Sequence, residues 1–340
     1  MAEQSTIRYE RTSPQVARIT FANPPANLIV GETVVRLVEI VDELATDPDI
    51  RVVVFVSDVP DFFVNHFDLA AAADFPAPEG ADAVPVWTDL VLKLTKAPYI
   101  TVASIRGRTR GGGNELALAF DLRYASLEKA LFGQPEVGSG LLPGGGGTER
   151  LPRAIGRDRA LEVILTSADF DAETAERWGW VTRALPDAEL DAFVETIVAR
   201  LASFDRTSVA SAKAMVNRAV LPPDADLVAA YEEFMHSLTL PGFLTRAAGA
   251  EAVVASTNRL RVPARRVHRA RQPAGVARRS SGPRRLARHL DVVSGRDVPT
   301  QAGAQGCFRK RDRARRAGCR GGARWRRSSD RRRAPVGRAA

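Results

Sequence analysis

Two apolar, β-branched runs on either side of a helical pattern constrain the fold more than any other feature of this chain. The runs RVVVFVSD, 51–58, and PYITVASIRG, 98–107, are continuous hydrophobic stretches of the kind that a sheet buries on both faces. Between them, PVWTDLVLKLTK, 85–96, has the apolar spacing of a helix. A strand, a helix and a second strand in this order predict right-handed crossovers and a parallel or mixed sheet. The predicted fold class is therefore α/β.

The segments around this unit extend the same architecture. Short β-type runs over residues 7–21 are followed by a Pro-Pro pair, as expected of a hairpin that leads into a sheet. After about residue 170 the chain consists mostly of helical patterns. We predict an α/β core over about residues 5–200 and an α-helical C-terminal layer over about residues 200–255.

The chain changes character near residue 256. Residues 261–340 contain 24 Arg and one Lys against four Asp and no Glu, a formal charge of +21 in a chain whose total is +9. This basic segment lacks a sustained apolar period, so it cannot bury enough surface to offset the entropy lost on ordering. We predict one domain over residues 1–255, followed by a disordered, low-complexity, Arg-rich tail over residues 256–340.

An Arg-rich segment ordinarily suggests contacts with nucleic-acid phosphates. Here a different hypothesis has more weight, because a segment rich in Arg, Ala, Gly and Pro without Glu is typical of a GC-rich coding sequence read in the wrong frame. The helical pattern of AAGAEAVVAS, 247–256, also breaks off abruptly. We therefore expect no nucleic-acid partner, and a frameshift near residue 256 that sequencing of the gene would detect.

Cysteine usage and hydropathy narrow the class of protein further. Cys307 and Cys319, the two cysteines of the chain, both lie in the basic segment. Residues 1–255 therefore offer neither a disulfide framework nor a thiol nucleophile. The N-terminus lacks the basic and apolar regions of an export signal, and no apolar run reaches the roughly 18 to 20 residues needed to cross a bilayer. We expect a cytoplasmic protein without a membrane partner.

A glycine-rich segment, TRGGGNELALAF, 109–120, lies between a predicted strand and a predicted helix. A phosphate loop of the ATPase type needs Lys and then Ser or Thr after its last glycine, and a dinucleotide loop needs the spacing GxGxxG. Asn114 and Glu115 follow the glycines instead, and a carboxylate would repel a phosphate. The remaining interpretation is a helix N-terminus whose exposed amides bind a small oxyanion, since glycine permits close approach of the ligand.

A second segment, FGQPEVGSGLLPGGGGTERL, 132–151, places Glu136 on a loop ahead of another glycine-rich turn. Loops at the same end of a sheet would bring Glu136 and Glu115 together, which suits general acid and base catalysis on a shared water molecule. Either glutamate alone would be an ordinary solvated acid. The pair is therefore the informative feature.

The segments GRTRGGGNELALAFDLRYAS, 107–126, and LFGQPEVGSGLLPGGGGTERLPRAIG, 131–156, together resemble the signature region of the enoyl-CoA hydratase/isomerase, or crotonase, superfamily. The resemblance extends over about residues 5–255 and includes NPPAN, 23–27, and DFFVNHFDL, 61–69. It implies a crotonase-like spiral of ββα turns with a helical C-terminal region, assembled as a homotrimer or hexamer. It also implies an acyl-CoA thioester substrate, without a metal or redox cofactor, whose enolate is stabilised by two backbone N–H groups.

The resemblance assigns roles to four residues. Gly112 and Phe67 would supply the two N–H groups of the oxyanion hole, and Glu115 and Glu136 match the catalytic glutamates of the hydratases. Glu115 would take a proton from water as the water oxygen adds to the β-carbon, and Glu136 would deliver a proton to the α-carbon. Because both carboxylates are present, the resemblance favours a lyase that hydrates a 2-enoyl-CoA.

A further set of residues is predicted to contact the substrate: Asn27, His66, Asp68, Gly111 and Gly113. His66 stands where the family commonly has glycine, so it restricts the backbone at the oxyanion hole and places an imidazole beside the thioester. Two of these residues have simpler interpretations. His66 would be a structural or surface histidine, and Asp68 would cap a helix that begins at Leu69.

Two alternatives to hydration remain open from the sequence. Within the same family, the chain would be an enoyl-CoA isomerase or would catalyse another enolate-forming reaction. In a different class, it would be a non-catalytic protein that binds acyl-CoA or RNA, with the basic tail dominating its behaviour. The paired carboxylates favour the enzyme, whereas His66 and the tail favour the alternatives.

Overall fold

The two apolar runs form neighbouring central strands of a mixed sheet in the computed structural model, which describes residues 6–78, 80 and 83–246. In chain order the strands are β1 (Ile7–Ser13), β2 (Val16–Phe21), β3 (Val52–Ser57), β4 (Phe62–Val64), β5 (Ile100–Ile105), β6 (Arg108–Arg110), β7 (Leu122–Ser126), β8 (Leu131–Gly133), β9 (Asp169–Asp171) and β10 (Arg183–Leu185). The helices are α1 (Gly31–Thr46), α2 (Val86–Lys96), α3 (Gly112–Ala119), α4 (Gly147–Ile155), α5 (Arg157–Thr166), α6 (Ala172–Trp178), α7 (Asp187–Ala202), α8 (Arg206–Val220) and α9 (Asp224–Ser237).

The strands form two sheets that share a repeated connection. The larger sheet has the order β1-β2-β3-β5-β7-β10 and is parallel except for the hairpin of β1 and β2. The smaller has the order β4-β6-β8-β9, with β8 and β9 antiparallel. Three times in succession the chain passes from the large sheet to the small sheet and then into a helix: β3-β4-α2, β5-β6-α3 and β7-β8-α4. This repeat is the predicted spiral of ββα turns.

The three-residue strands of the smaller sheet were not predicted from the sequence. A run of three residues is too short for hydrophobic periodicity to identify its secondary structure. The longer elements follow the predictions. For example, α1 ends at Thr46, shortly before Pro48, because the residue that precedes a proline avoids the helical conformation.

Strand β3 is buried on both faces, as its continuous apolar sequence predicts. Val53 and Phe55 belong to the main core, which also contains residues of α1 and α2. Val52 and Val54 belong to a second core on the opposite face, which contains Leu190 of α7. Because successive side chains of a strand point to opposite faces, a continuous apolar run requires cover on both sides.

Helix α8 is attached to the large sheet by a buried ion pair. Lys213, only 8% exposed, donates from Nζ to Asp121 Oδ2 at 2.7 Å and to the carbonyl of Tyr99 at 2.9 Å. The same Asp121 oxygen accepts bonds from the backbone N–H and the hydroxyl of Thr101. These hydrogen bonds compensate for burying the two charges. They join the predicted C-terminal helical layer to the start of β5.

The predicted tail over residues 256–340 and the frameshift hypothesis lie outside the described residues. Within the described ranges, no helix is long and apolar enough to cross a membrane. In those same ranges, no group of three or more His, Cys, Asp and Glu side chains is placed to hold a metal ion.

Candidate active site

The glycine-rich segment forms a tight turn between β6 and α3. Gly111 has φ 53° and ψ −128°, a conformation that residues with a Cβ atom rarely adopt. A Cβ atom on Gly111 would also lie 2.8 Å from Glu136 Oε1 and 3.1 Å from the Cβ of His66. A Cβ atom on Gly113 would lie 2.0 Å from the carbonyl oxygen of Val64. The glycines therefore let the start of α3 approach both the loop of Glu136 and the end of β4.

The predicted oxyanion donors, Phe67 and Gly112, lie side by side: a Cβ atom on Gly112 would be 2.5 Å from Phe67 Cε2. Ile29 donates its N–H to the carbonyl of His66, and Asp68 donates its N–H to the carbonyl of Ile29. In this parallel bridge the N–H of Phe67 points away from Ile29. The N–H of Gly112, the first residue of α3, has no acceptor within the helix. The N–H of Phe67 is thus directed away from Ile29, and the N–H of Gly112 lacks an acceptor inside α3. The role of these two N–H groups as an oxyanion hole stays a prediction.

Glu115 lies in the first turn of α3 and is buried, with 2% of its surface exposed. Its Oε1 accepts bonds from the N–H groups of Gly145 at 2.8 Å and Gly147 at 3.0 Å. Burial raises the pKa of Glu115 to about 7, while these two N–H groups act in the opposite direction. The glycine-rich turn before α4 therefore binds the carboxylate of Glu115.

Glu136 is placed by β8, which ends three residues before it, and it begins a short 3₁₀ helix over Glu136–Ser139. Its Oε1 accepts a bond from Gln134 Nε2 at 3.2 Å. Its Oε2 is buried and has no hydrogen-bond partner among the described residues. Burial and the neighbouring charge of Glu115 raise the pKa of Glu136 to about 8.

The two carboxylates differ in how well each environment stabilises a negative charge. Two backbone N–H groups favour the ionised form of Glu115, whereas one oxygen of Glu136 lacks any donor in the described structure. Two negative charges this close to each other repel, so one of the two carboxyl groups keeps its proton near neutral pH. We assign this proton to Glu136 and the negative charge to Glu115. Such a pair can act as an acid and a base on one substrate.

Asn27 is buried, and its side chain is fully engaged by the protein. Its Oδ1 accepts from the N–H of Asn23, and its Nδ2 donates to Ser57 Oγ and to the carbonyl of Phe63. Its own carbonyl accepts the N–H of Asn65 at 2.9 Å. Asn27 thereby fixes the segment that precedes Phe67, while its contact with the substrate stays a prediction.

His66 and Asp68 flank Phe67 and have exposed or partly exposed side chains. The imidazole Nδ1 of His66 lies 2.9 Å from the carbonyl oxygen of Phe67. His66 is not among the described non-glycine residues with positive φ, so its position does not require glycine. Asp68 caps the 3₁₀ helix that begins at Leu69 by accepting from the N–H of Ala70 at 3.1 Å. The predicted helix cap is confirmed, and the substrate contacts of both residues stay predictions.

A family model described as enoyl-CoA hydratase/isomerase matches residues 11–240. The chain belongs to the enoyl-CoA hydratase/isomerase family. All nine predicted site residues of this family member lie within the matched range.

Individual relatives of this enoyl-CoA hydratase/isomerase family member support the assignment. The chain is 34% identical over 217 residues to echA8 of Mycobacterium tuberculosis (strain CDC 1551 / Oshkosh), named as an enoyl-CoA hydratase, with 63% of this chain and 82% of the relative covered. It is 31% identical over 237 residues to YngF of Bacillus subtilis (strain 168), named as an enoyl-CoA hydratase/isomerase, with 69% and 90% covered. A crystal structure from Streptomyces avermitilis, of a protein named as an enoyl-CoA hydratase, gives a TM-score of 0.70 at 42% identity, with 74% and 92% covered. The crotonase-like fold is confirmed.

Sequence reasoning missed a buried chain of amides that supports Glu136 in this family member. Trp180 donates from Nε1 to Asn114 Oδ1 at 2.9 Å, and Asn114 donates from Nδ2 to Gln134 Oε1. Gln134 then donates to Glu136. Gln134 belongs to the FGQPE segment, so a local sequence motif contains it. Trp180 lies 66 residues from Asn114 along the chain, so no local pattern indicates the contact.

Proposed function

We propose that this protein is a lyase that adds water across the double bond of a 2-enoyl-CoA. The observation that carries the proposal is a pair of carboxylates in unequal environments next to the start of α3. Glu115 is buried, whereas Glu136 is partly buried and its Oε2 has no partner among the described residues. An ionised carboxylate and a protonated one are the two groups that addition of water requires. The neighbouring N–H groups of Phe67 and Gly112 support stabilisation of a thioester enolate.

In the proposed reaction, the thioester oxygen accepts hydrogen bonds from the N–H groups of Phe67 and Gly112. A water molecule forms a bond from its oxygen to the β-carbon and transfers one proton to Glu115. The electron pair of the double bond moves toward the thioester, and the α-carbon then takes the proton of Glu136. The product is a 3-hydroxyacyl-CoA, and the proton on Glu115 passes to Glu136, directly or by exchange through solvent, before the next turnover.

The hydration of crotonyl-CoA tests this proposal directly. Absorbance of the conjugated enone should decay in the presence of the wild-type protein, and 3-hydroxybutyryl-CoA should form. A 3-enoyl-CoA supplied separately tests the isomerase alternative, since its conversion would instead create the enone absorbance. Wild-type protein that binds coenzyme A but leaves crotonyl-CoA unchanged would contradict the proposed hydration.

The pH dependence of hydration should be bell-shaped around the two raised pKa values. The reactive form has Glu115 ionised and Glu136 protonated, so kcat/KM should fall below pH about 7 as Glu115 gains its proton. It should also fall above pH about 8 as Glu136 loses its proton. Steady-state rates from pH 5 to pH 10 in buffers of constant ionic strength would measure both limbs. A rate that still rises above pH 9 would exclude Glu136 as the acid.

We also propose a cytoplasmic homotrimer or hexamer that needs no cofactor beyond the coenzyme A of its substrate. This proposal rests on the family resemblance. Light scattering coupled to size-exclusion chromatography should give three or six times the chain mass of 36.8 kDa. A species of one chain mass across the accessible concentrations would contradict it.

A further inference from the structure

The indole N–H of Trp87 is a buried donor without an acceptor in the described part of the chain. Trp87 lies at the start of α2 and is 6% exposed. Its Nε1 has no hydrogen-bond partner among the described residues. Buried polar groups are normally satisfied by protein, water or ligand, because an unpaired one costs its full desolvation. By contrast, the buried indole N–H of Trp180 has its acceptor at 2.9 Å.

The unpaired N–H lies close to the carboxylate of Glu115. A Cβ atom on Gly145 would be 2.3 Å from Trp87 Nε1 and 2.6 Å from Glu115 Oε2, so the indole nitrogen and the carboxylate oxygen are within about 5 Å of each other. Glu115 Oε1 already accepts two backbone N–H groups, which leaves Oε2 for other partners. The indole ring also packs edge-on against Phe67, with ring centroids 4.7 Å apart.

An upper limit of about 5 Å is compatible with a single bridging oxygen atom. Two hydrogen bonds of about 2.8 Å that meet at a tetrahedral oxygen span roughly 4.6 Å between their outer atoms. An oxygen between Trp87 and Glu115 would accept the indole N–H and donate its own O–H to Oε2. The water molecule that Glu115 deprotonates must itself lie within hydrogen-bond distance of this carboxylate.

We propose that the indole N–H of Trp87 binds the oxygen atom attached to the β-carbon, as the attacking water in hydration and as the 3-hydroxyl group in the product. This inference rests on the proposed hydratase function. In hydration, one lone pair of the water oxygen forms the bond to the β-carbon, its proton passes to Glu115, and another lone pair accepts the indole N–H. In the reverse reaction, the leaving oxygen keeps the C–O electron pair and regains a proton from Glu115 while it remains bound to Trp87.

The variant Trp87→Phe tests the role of the N–H, because it removes the donor and retains an aromatic ring against Phe67. Calorimetry would compare the binding of 3-hydroxybutyryl-CoA with that of butyryl-CoA, which lacks the oxygen at C3. Loss of one neutral hydrogen bond predicts binding of the hydroxy ligand weakened roughly threefold to tenfold, with butyryl-CoA unchanged. Trp178→Phe is the matched control, since Trp178 packs against Phe170 and Arg159 and should alter neither affinity.

Equally weakened binding of both ligands would assign Trp87 a packing role and overturn the inference, and so would unchanged binding of both.

A second measurement uses the wild-type protein and needs no variant. The indole N–H signals of the four tryptophans in the wild-type protein can be recorded by NMR with each ligand. One signal should shift with 3-hydroxybutyryl-CoA and not with butyryl-CoA, and the absence of such a difference would also overturn the inference. If the wild type does not hydrate crotonyl-CoA, the proposed function fails. If the wild type is active but Trp87→Phe binds both ligands as the wild type does, only the inference about Trp87 fails.

Discussion

Replacing Glu115 by glutamine should reduce kcat for crotonyl-CoA hydration by about a thousandfold, within the range expected for loss of a general base. The amide has the shape of the carboxylate, and its oxygen can still accept the N–H groups of Gly145 and Gly147. The fold should therefore be retained while proton transfer from water is lost. Rates of enone decay with matched concentrations of folded protein would measure the effect.

Glu136→Gln should lower the rate by a similar factor for a different reason. The α-carbon then lacks its proton donor, although Gln134 can still donate to the amide oxygen at position 136. Glu195→Gln provides the same chemical change on the exposed surface of α7 and should leave the rate unchanged. If either active-site variant kept more than a tenth of wild-type kcat, that glutamate would not be the acid or the base.

Replacing Gly112 by alanine should reduce kcat by about a hundredfold to a thousandfold, the typical loss when one oxyanion donor is misplaced. The added Cβ would lie 2.5 Å from Phe67 Cε2 and 3.1 Å from Ile29 Cδ1. Phe67 is held by ring contacts with Phe75 and Trp87, so its displacement would disturb the segment that carries the other donor. The rate constant for enone decay at saturating crotonyl-CoA would report the loss.

The matched control for this variant is Gly242→Ala. A Cβ atom at Gly242 meets no heavy atom within 4 Å in the described structure, and its φ is not positive. This control should retain wild-type kcat. Wild-type activity in Gly112→Ala, with its melting temperature unchanged, would show that the neighbourhood of Phe67 and Gly112 does not stabilise the enolate.

The candidate site shows why local motifs predict some residues and not others. Glu115 could be identified from sequence because the glycines that permit its position immediately precede it along the chain. The amide chain from Trp180 to Glu136 could not, because its members belong to separate elements that only the fold brings together. The same reason applies to Trp87, which only the fold brings close to Glu115.

His66 illustrates the opposite case, in which the sequence departs from the family pattern but the backbone conformation requires no glycine. Its occurrence at a position commonly held by glycine suggested a restricted backbone at the oxyanion hole. In the structure this position has no positive φ, so a histidine can occupy it without backbone strain. The effect of its imidazole on substrate choice stays a prediction.

The sequence by itself determined the α/β class, the helical C-terminal layer and the family, because long apolar periods and glycine motifs are local properties of the chain. Only the tertiary structure decided the short strands of the second sheet, whose three-residue lengths carry no period. It also decided the different environments of the two glutamates. Burial raises the pKa of both groups, N–H groups of a turn some 30 residues away lower the pKa of Glu115, and the charge of Glu115 raises the pKa of Glu136. These effects depend on distances between atoms in the folded protein, and no local sequence pattern specifies those distances.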